Sequence, residues 1–360
     1  MSNKELLIIL SPGFPESEAD STCLPMQQQF VGALKEMHPD LNIVVLTFQY
    51  PYHQKEYDWF QIKVIPFGGR NKGGLQKLLL RRKINSTLRK LHGRFKIAGL
   101  FSFWYNECAF IGKRFGDKYG VKHYCWILGQ DARKENEYPK LLQPLSNELV
   151  ALSDFIQNEF ERNHGIKPQF VIPPGVDERL FVSIPQKKDL DLVGVGSLIP
   201  LKQYDLFLEI VAEVKKHMPA IKVVLVGKGP EKEKLQSLIR RFELEGSVTM
   251  TGELPYGEVL KLMQRAKVFL HPSSYEGFSG VCMEALCAGS HIISFCKPMN
   301  MDIPHWHIAR NKEEMVGEAL RILQDPMTGY LSLHRYPIGD CVKQVMSLFG
   351  GKFHTSEKAG

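Results

Sequence analysis

No apolar run in the sequence approaches the ~20 residues that a membrane-spanning helix needs. The start, MSNKELLIILSPGF, has one lysine and a short apolar stretch that ends in Pro and Gly, without a small-residue cleavage site. It reads as a first buried strand rather than a signal peptide, so the expected location is the cytosol. Cys-x-x-Cys pairs are also missing. The seven cysteines, Cys23, Cys108, Cys125, Cys282, Cys287, Cys296 and Cys341, are odd in number and mostly have apolar neighbours. That pattern argues against a disulfide framework or a zinc cage and for buried free thiols. His271, His305 and His307 have no metal-ligand spacing with carboxylates and read as ordinary polar positions. No G-x-G-x-x-G opens a helix after a strand with an acid ~20 residues on. Gly194-Val195-Gly196 lacks the third glycine where it is needed, which argues against a dinucleotide oxidoreductase.

Acidic residues are absent from one long stretch. Residues 68–96, GGRNKGGLQKLLLRRKINSTLRKLHGRFK, carry ten Lys or Arg and no Asp or Glu. The chain's net charge is +7, so without this stretch the remainder is net negative. The basic excess is local and needs a local explanation. Leu75, Leu78, Leu79, Ile84, Leu88 and Leu91 are expected on one helical face, with Lys77, Arg81, Arg82, Arg89 and Lys90 largely elsewhere. One reading is a helix packed on its domain with a solvated basic face. The other is attachment to an anionic membrane surface, peripheral at its inner face. Nucleic acid is disfavoured, because the stretch has no interleaved aromatics.

What is present is an alternation of strand and helix signals along 360 residues. Continuous apolar runs predict strands at Leu6–Leu10, Ile43–Phe48, Lys63–Pro66, Ile97–Phe103, Tyr124–Leu128, Glu148–Leu152 and Phe170–Ile172. A second set is Asp191–Val195, Lys222–Val226, Ser247–Thr251, Val268–His271 and His291–Ser294. Helical patterns such as Met26–Glu36, Leu75–Leu91, Leu206–Lys216 and Glu231–Phe242 separate most of them. Apolar strands between helices argue for parallel sheets covered on both faces, and two sets argue for two doubly wound α/β domains. The Pro- and charge-rich stretch near 173–190 is the expected boundary. The expected domains are 1–173 and 188–330, with a last helix around Gly339–Phe349, in the segment ~339–360, crossing back to the first.

The strongest chemical signal is HPSSYEGFSGVCMEALCAG, residues 271–289, which runs from a strand through a turn into a helix. Glu276 falls in the turn and Glu284 eight residues later on the helix. Ligands of open α/β sheets bind outside the carboxyl ends of strands, where this turn belongs. Gly277, Ser279 and Gly280 keep the turn slim, so that backbone N–H groups approach a ligand closely. The helix N-terminus adds orphan donors and the positive end of a dipole, hence an anion site. Carboxylates are poor phosphate ligands but good acceptors for ribose and sugar hydroxyls. A glutamate in the apolar helix EALCAG also needs a buried partner.

These residues resemble the retaining glycosyltransferases of family 4, whose fold is GT-B. The resemblance rests on Glu276-x7-Glu284, with EGF after the first Glu. It is supported in order by FVIPPGVDERLF at 170–181, VGVGSLIPLKQYDLFLEIV at 193–211, VVLVGKGPEKEKLQ at 223–236 and VTMTGELP at 248–255. It implies two Rossmann-like domains facing across a cleft, acceptor on the first and nucleotide-sugar donor on the second. It also implies roles. Lys202 would neutralise the donor diphosphate, Glu284 would hold the ribose, and Glu276, beside Phe278, would contact the donor sugar. Gly196, Ser197, Ser279 and Gly280 would border the phosphates, and Gly252, Glu253 and Leu254 the base. Breaking the glycosidic bond builds negative charge on the diphosphate, and fixed positive groups stabilise it where it develops. No metal or other cofactor is expected.

The sequence departs from the family pattern at three points. Ser197 stands after Gly196 where the family usually has Arg. The chain after Glu284 reads SFCKPMNMDIPHWHI, without the usual Gly-Gly turn, and Lys297 is the cation available there. YCWILGQDAR ends its strand with Leu128 where many members place a histidine. Asp131, just beyond, is a catalytic candidate, with capping of the next helix as the alternative. Gly13, in LSPGFP, either lines the cleft or only turns the chain. The expected activity is transfer of a sugar to a glycan, lipid-linked or small-molecule acceptor. The alternatives are a catalytically weak sugar-nucleotide-binding or scaffold protein, or a nucleotide-sugar epimerase.

Overall fold

The computed structural model describes residues 2–181 and 187–350, and these divide into two compact units. The first takes the chain up to Gly175 and again from Ile338, and the second is Val176–Pro337. The expected linker residues 182–186 and the tail 351–360 lie outside the described residues.

In the first unit the order is β1 (Ser2–Gly13), α1 (Pro25–Met37), β2 (Asn42–Tyr50), β3 (Tyr57–Trp59), β4 (Ile62–Pro66), α2 (Gly74–Arg94) and β5 (Phe95–Phe103). There follow α3 (Glu107–Tyr119), β6 (His123–Ile127), α4 (Tyr138–Leu142), β7 (Leu149–Ala151), α5 (Asp154–His164) and β8 (Phe170–Val171). The strands form one sheet in the order β3-β4-β2-β1-β5-β6-β7-β8, parallel throughout except for the β3–β4 pair. Central β1 is buried from Leu6 to Leu10, as a strand covered on both faces must be. Phe30 of α1 packs on Phe101, Phe103 and Trp126 with ring centroids 5.4–6.0 Å apart. Helix ends follow local chemistry. Ser153 Oγ accepts from Ile156 N at the start of α5, and Gly165 ends that helix at φ 71°.

The second unit runs β9 (Leu190–Val195), α6 (Tyr204–His217), β10 (Val223–Val226), α7 (Lys232–Arg241), β11 (Val248–Gly252), α8 (Tyr256–Arg265) and β12 (Ala266–His271). It closes with α9 (Gly280–Cys287), β13 (His291–Ser294), β14 (Trp306–Ile308) and α10 (Lys312–Gln324). Its all-parallel sheet is ordered β11-β10-β9-β12-β13-β14. Counted within the unit this is the doubly wound order 3-2-1-4-5-6, and the winding reverses between β9 and β12. Finally α11 (Ile338–Leu348) rejoins the first unit. It packs on α1, and Tyr124 Oη donates to the Leu348 carbonyl at 2.8 Å.

Each of the twelve expected strands overlaps an observed one. Two strands escaped the sequence reading, β3 and β14, because three residues with mixed exposure make no apolar run. The expected apolar face of α2 needs correction. At 100° per residue, Leu75 and Ile84 lie on opposite sides. Leu80, Ile84 and Leu88 face the core, whereas Leu75, Leu78 and Leu79 are exposed.

Candidate functional site

The reversal point of the second sheet gathers the residues that the sequence singled out. The loop after β9 carries Gly196, Ser197 and Lys202, and the neighbouring loop after β12 carries Glu276. Hydrogen bonds to one carbonyl stitch the two together, with Ser274 N donating to the Leu201 carbonyl at 3.1 Å and Ser273 Oγ to the same oxygen at 3.2 Å. Across this seam Lys202 Nζ sits 2.5 Å from Glu276 Oε2. Both side chains are largely shielded, at 17% and 22% exposure.

Glu276 Oε2 has a second partner, His271 Nε2, at 3.2 Å. His271 ends β12 and is buried against Phe269. Burial lowers its pKa, against the pull of the Glu276 carboxylate. An ionised carboxylate can only accept, so in this contact Nε2 of His271 is the donor. Burial alone would push the Glu276 carboxyl up. The His271 hydrogen bond and the Lys202 charge outweigh it and bring the pKa down to about 2. From sequence alone His271 is an ordinary polar position, and its place beside Glu276 follows from the strand end that holds it. The HP pair just before the turn was the available signal.

Glycines allow the loops their closeness. Gly227, after β10, has φ 146°, and a Cβ there would stand 1.9 Å from the Gly196 carbonyl oxygen. Over Gly196 a Cβ would meet Tyr204 Oη at 2.8 Å. That hydroxyl is buried without a hydrogen-bond partner among the described residues. Ser197, next to Gly196 in the chain, is exposed.

A third loop joins from the sheet edge. Gly252 ends β11 at φ 75°, and its carbonyl accepts from Gly227 N at 2.9 Å. Glu253 is ion-paired to Lys228, and Leu254 is half-buried. Two residues on, Tyr256 Oη donates to Glu284 Oε1 at 2.8 Å. Tyr256 is thus among the partners the buried Glu284 required, and sequence could not have named it across 28 positions. Glu284 lies one turn into α9, behind Gly277, the buried Phe278 and Ser279. The Ser279 hydroxyl makes no cap bond, and the Ser279 carbonyl takes the N–H groups of Cys282 (3.1 Å) and Met283 (3.2 Å), so the first-turn donors open to another acceptor are those of Gly280 and Val281. Lys297 pairs with Asp302 at 2.5 Å. Among the described residues no group of three or more His, Cys, Asp or Glu is placed to hold a metal ion.

Asp131, the remaining catalytic candidate, is placed apart from these loops in the chain's own fold, with its carboxylate held by main-chain donors. It lies in the first unit and is buried, and its carboxylate accepts from the main-chain N–H groups of Tyr105 (2.7 Å), Gly129 (2.7 Å) and Leu128 (3.1 Å). Burial raises its pKa, and these N–H groups oppose the rise. Its geometry is that of a residue fixing the loops after β5 and β6. Gly13 ends β1 buried, its carbonyl accepting from Ser11 Oγ at 2.5 Å, and a Cβ there would meet only ordinary contacts at 3.7 Å.

Comparison with known proteins falls on the same residues. Positions 176–315 match the model of the family described as glycosyl transferases group 1. The matched stretch lies wholly within the second unit. Fission yeast (Schizosaccharomyces pombe) has a relative, the phosphatidylinositol N-acetylglucosaminyltransferase gpi3 subunit, that is 29% identical over 127 residues, 34% of this chain and 28% of the relative. The 2-deoxystreptamine N-acetyl-D-glucosaminyltransferase of Niallia circulans is 27% identical over 212 residues, 57% of this chain and 52% of that protein. The matches thus span about half or less of these curated relatives. Among solved structures, Anabaena HepE in complex with UDP and glucose superposes with a TM-score of 0.70 at 15% identity, covering 96% of this chain and 99% of that one. This likeness is one of fold, and it takes in nearly the whole chain. The chain is built as GT-B glycosyltransferases are, from two Rossmann-like domains.

Proposed function

We propose that the protein is a retaining glycosyltransferase that moves a sugar from a nucleoside-diphosphate sugar to a glycan, lipid-linked or small-molecule acceptor. The observation that carries this reading is the meeting of Lys202 and Glu276 from the two loops at the switch point, beside the N-terminus of α9. A cation and a helix N-terminus at one point suit a diphosphate. Two carboxylates, the largely shielded Glu276 and the buried Glu284, suit the hydroxyls of the sugar and ribose. As the glycosidic bond breaks, Lys202 and the α9 N–H groups stabilise the charge that develops on the leaving diphosphate. His271 and Tyr256 position the two carboxylates. The relatives named as N-acetylglucosaminyltransferases and the HepE complex with UDP and glucose support a nucleotide-sugar donor. No metal is assigned a role.

Thermal stabilisation by UDP, GDP, ADP and their sugars, without added metal, tests the reading. Ligand at about 100 times its dissociation constant stabilises by ~2.7 kcal/mol. A shift with one nucleotide, lost in Glu284→Ala, confirms the donor site and names the base. No shift with any of them refutes it. The exposed Ser197, where a cation would be expected, favours a second reading as a binding or scaffold protein with weak turnover. Slow donor hydrolysis abolished by Lys202→Ala would exclude that reading.

A further inference from the structure

The outer side of α2 does not look like a solvated basic face. Along it lie Leu75, Leu78 and Leu79, exposed at 76%, 45% and 49%. The same side continues with the exposed Arg82, Lys83, Arg89 and Lys90. The opposite side, Leu80, Ile84 and Leu88, is buried, so the outer leucines are not waiting for a place in this core. Two of the helix's cations are already taken. Lys77 and Arg81 turn to the buried Glu107, and Lys77 Nζ also meets Tyr138 Oη at 2.9 Å. That contact brings α4 against the first half of α2, and Leu141, one turn past Tyr138, is 57% exposed as well. Arg70 and Lys72, just before the helix, are exposed. No acid occurs between residues 68 and 96 to neutralise this surface.

We propose that this face docks on an anionic lipid bilayer. Leu75, Leu78 and Leu79 enter the headgroup region, and Arg82, Lys83, Arg89 and Lys90 meet lipid phosphates. Apolar tips ringed by cations fit that interface, where burial of apolar area and attraction to anionic lipid act together. Charge of one sign disfavours a second copy of the same face, since two such faces would repel. No helix of the described residues is long and apolar enough to cross a membrane, so the contact is at the surface.

Co-sedimentation of the full chain with vesicles tests this. One set is phosphatidylcholine, and in the other about a third of the lipid is phosphatidylglycerol. The wild type is expected to pellet with the anionic set alone and to be released by ~0.5 M salt. The triple substitution Leu75→Asn, Leu78→Asn and Leu79→Asn should weaken binding at least ~10-fold with unchanged circular dichroism, since these side chains make no core. Arg82→Glu with Arg89→Glu should abolish it. Failure to pellet with anionic vesicles at low ionic strength would overturn the proposal, as would undiminished binding by the leucine variant. A leucine-dependent dimer in light scattering would assign the face to a second copy, and tighter binding to a single-stranded oligonucleotide would assign it to nucleic acid. Either would overturn it.

Discussion

Substituting Glu276→Gln should change how stability depends on pH, and the structure gives the size. The wild-type carboxyl falls from an ordinary value of ~4.3 to about 2 in the fold. At 1.36 kcal/mol per unit, that is worth about 3 kcal/mol when the group is ionised. The pair keeps about a fifth of its surface, so solvent screening trims the figure to roughly 2–3 kcal/mol. The sign follows from the depressed pKa. The contribution is complete above the unfolded value of ~4.3 and is lost as pH falls toward 2, with about half gone by pH 3. Urea unfolding of both proteins from pH 7 to pH 3 reads this, because the difference between them cancels the acid sensitivity they share. The expected difference is flat from pH 7 to about 5.5 and shrinks below it. A difference under ~0.5 kcal/mol, or one that does not change with pH, would refute the pairing of Glu276 with Lys202 and His271.

The remaining predictions concern binding and the main chain. With no donor present, Glu276 occupies Lys202, so Glu276→Gln should tighten binding of the cognate nucleoside diphosphate several-fold while turnover is lost. Lys202→Ala should weaken that binding by ~10- to 100-fold, the worth of a charge-assisted hydrogen bond. Calorimetry checks both. Asp131→Asn should cost about 1–3 kcal/mol of stability, because its amide cannot accept from all three N–H groups, and thermal melts should show it with nucleotide affinity unchanged. Gly227→Ala places a methyl against the Gly196 carbonyl at a φ that only glycine tolerates. Its cost should be on the order of 3 kcal/mol or more, read as a lower melting temperature and lost nucleotide binding.

The sequence by itself determined the two doubly wound domains, because strands buried on both faces must be written as apolar runs. It also located the two strand-end loops, in which glycines stand close along the chain to a charged side chain, Lys202 in one and Glu276 in the other. Whole-helix faces were less legible. Leucines at 75, 78 and 79 and apolar residues at 84 and 88 look alike in composition, and only packing showed that the first three point outward. Asp131 followed the same rule, since a carboxylate after a strand serves chemistry or main-chain N–H groups equally well until its neighbours are placed. The partners of the site were decided by tertiary structure alone. His271 and Lys202 meet Glu276, and Tyr256 meets Glu284, across 5, 74 and 28 positions of chain. Sheet order β9 beside β12 sets the longest of these distances, and order is a property of how strands pair, not of what any one strand contains.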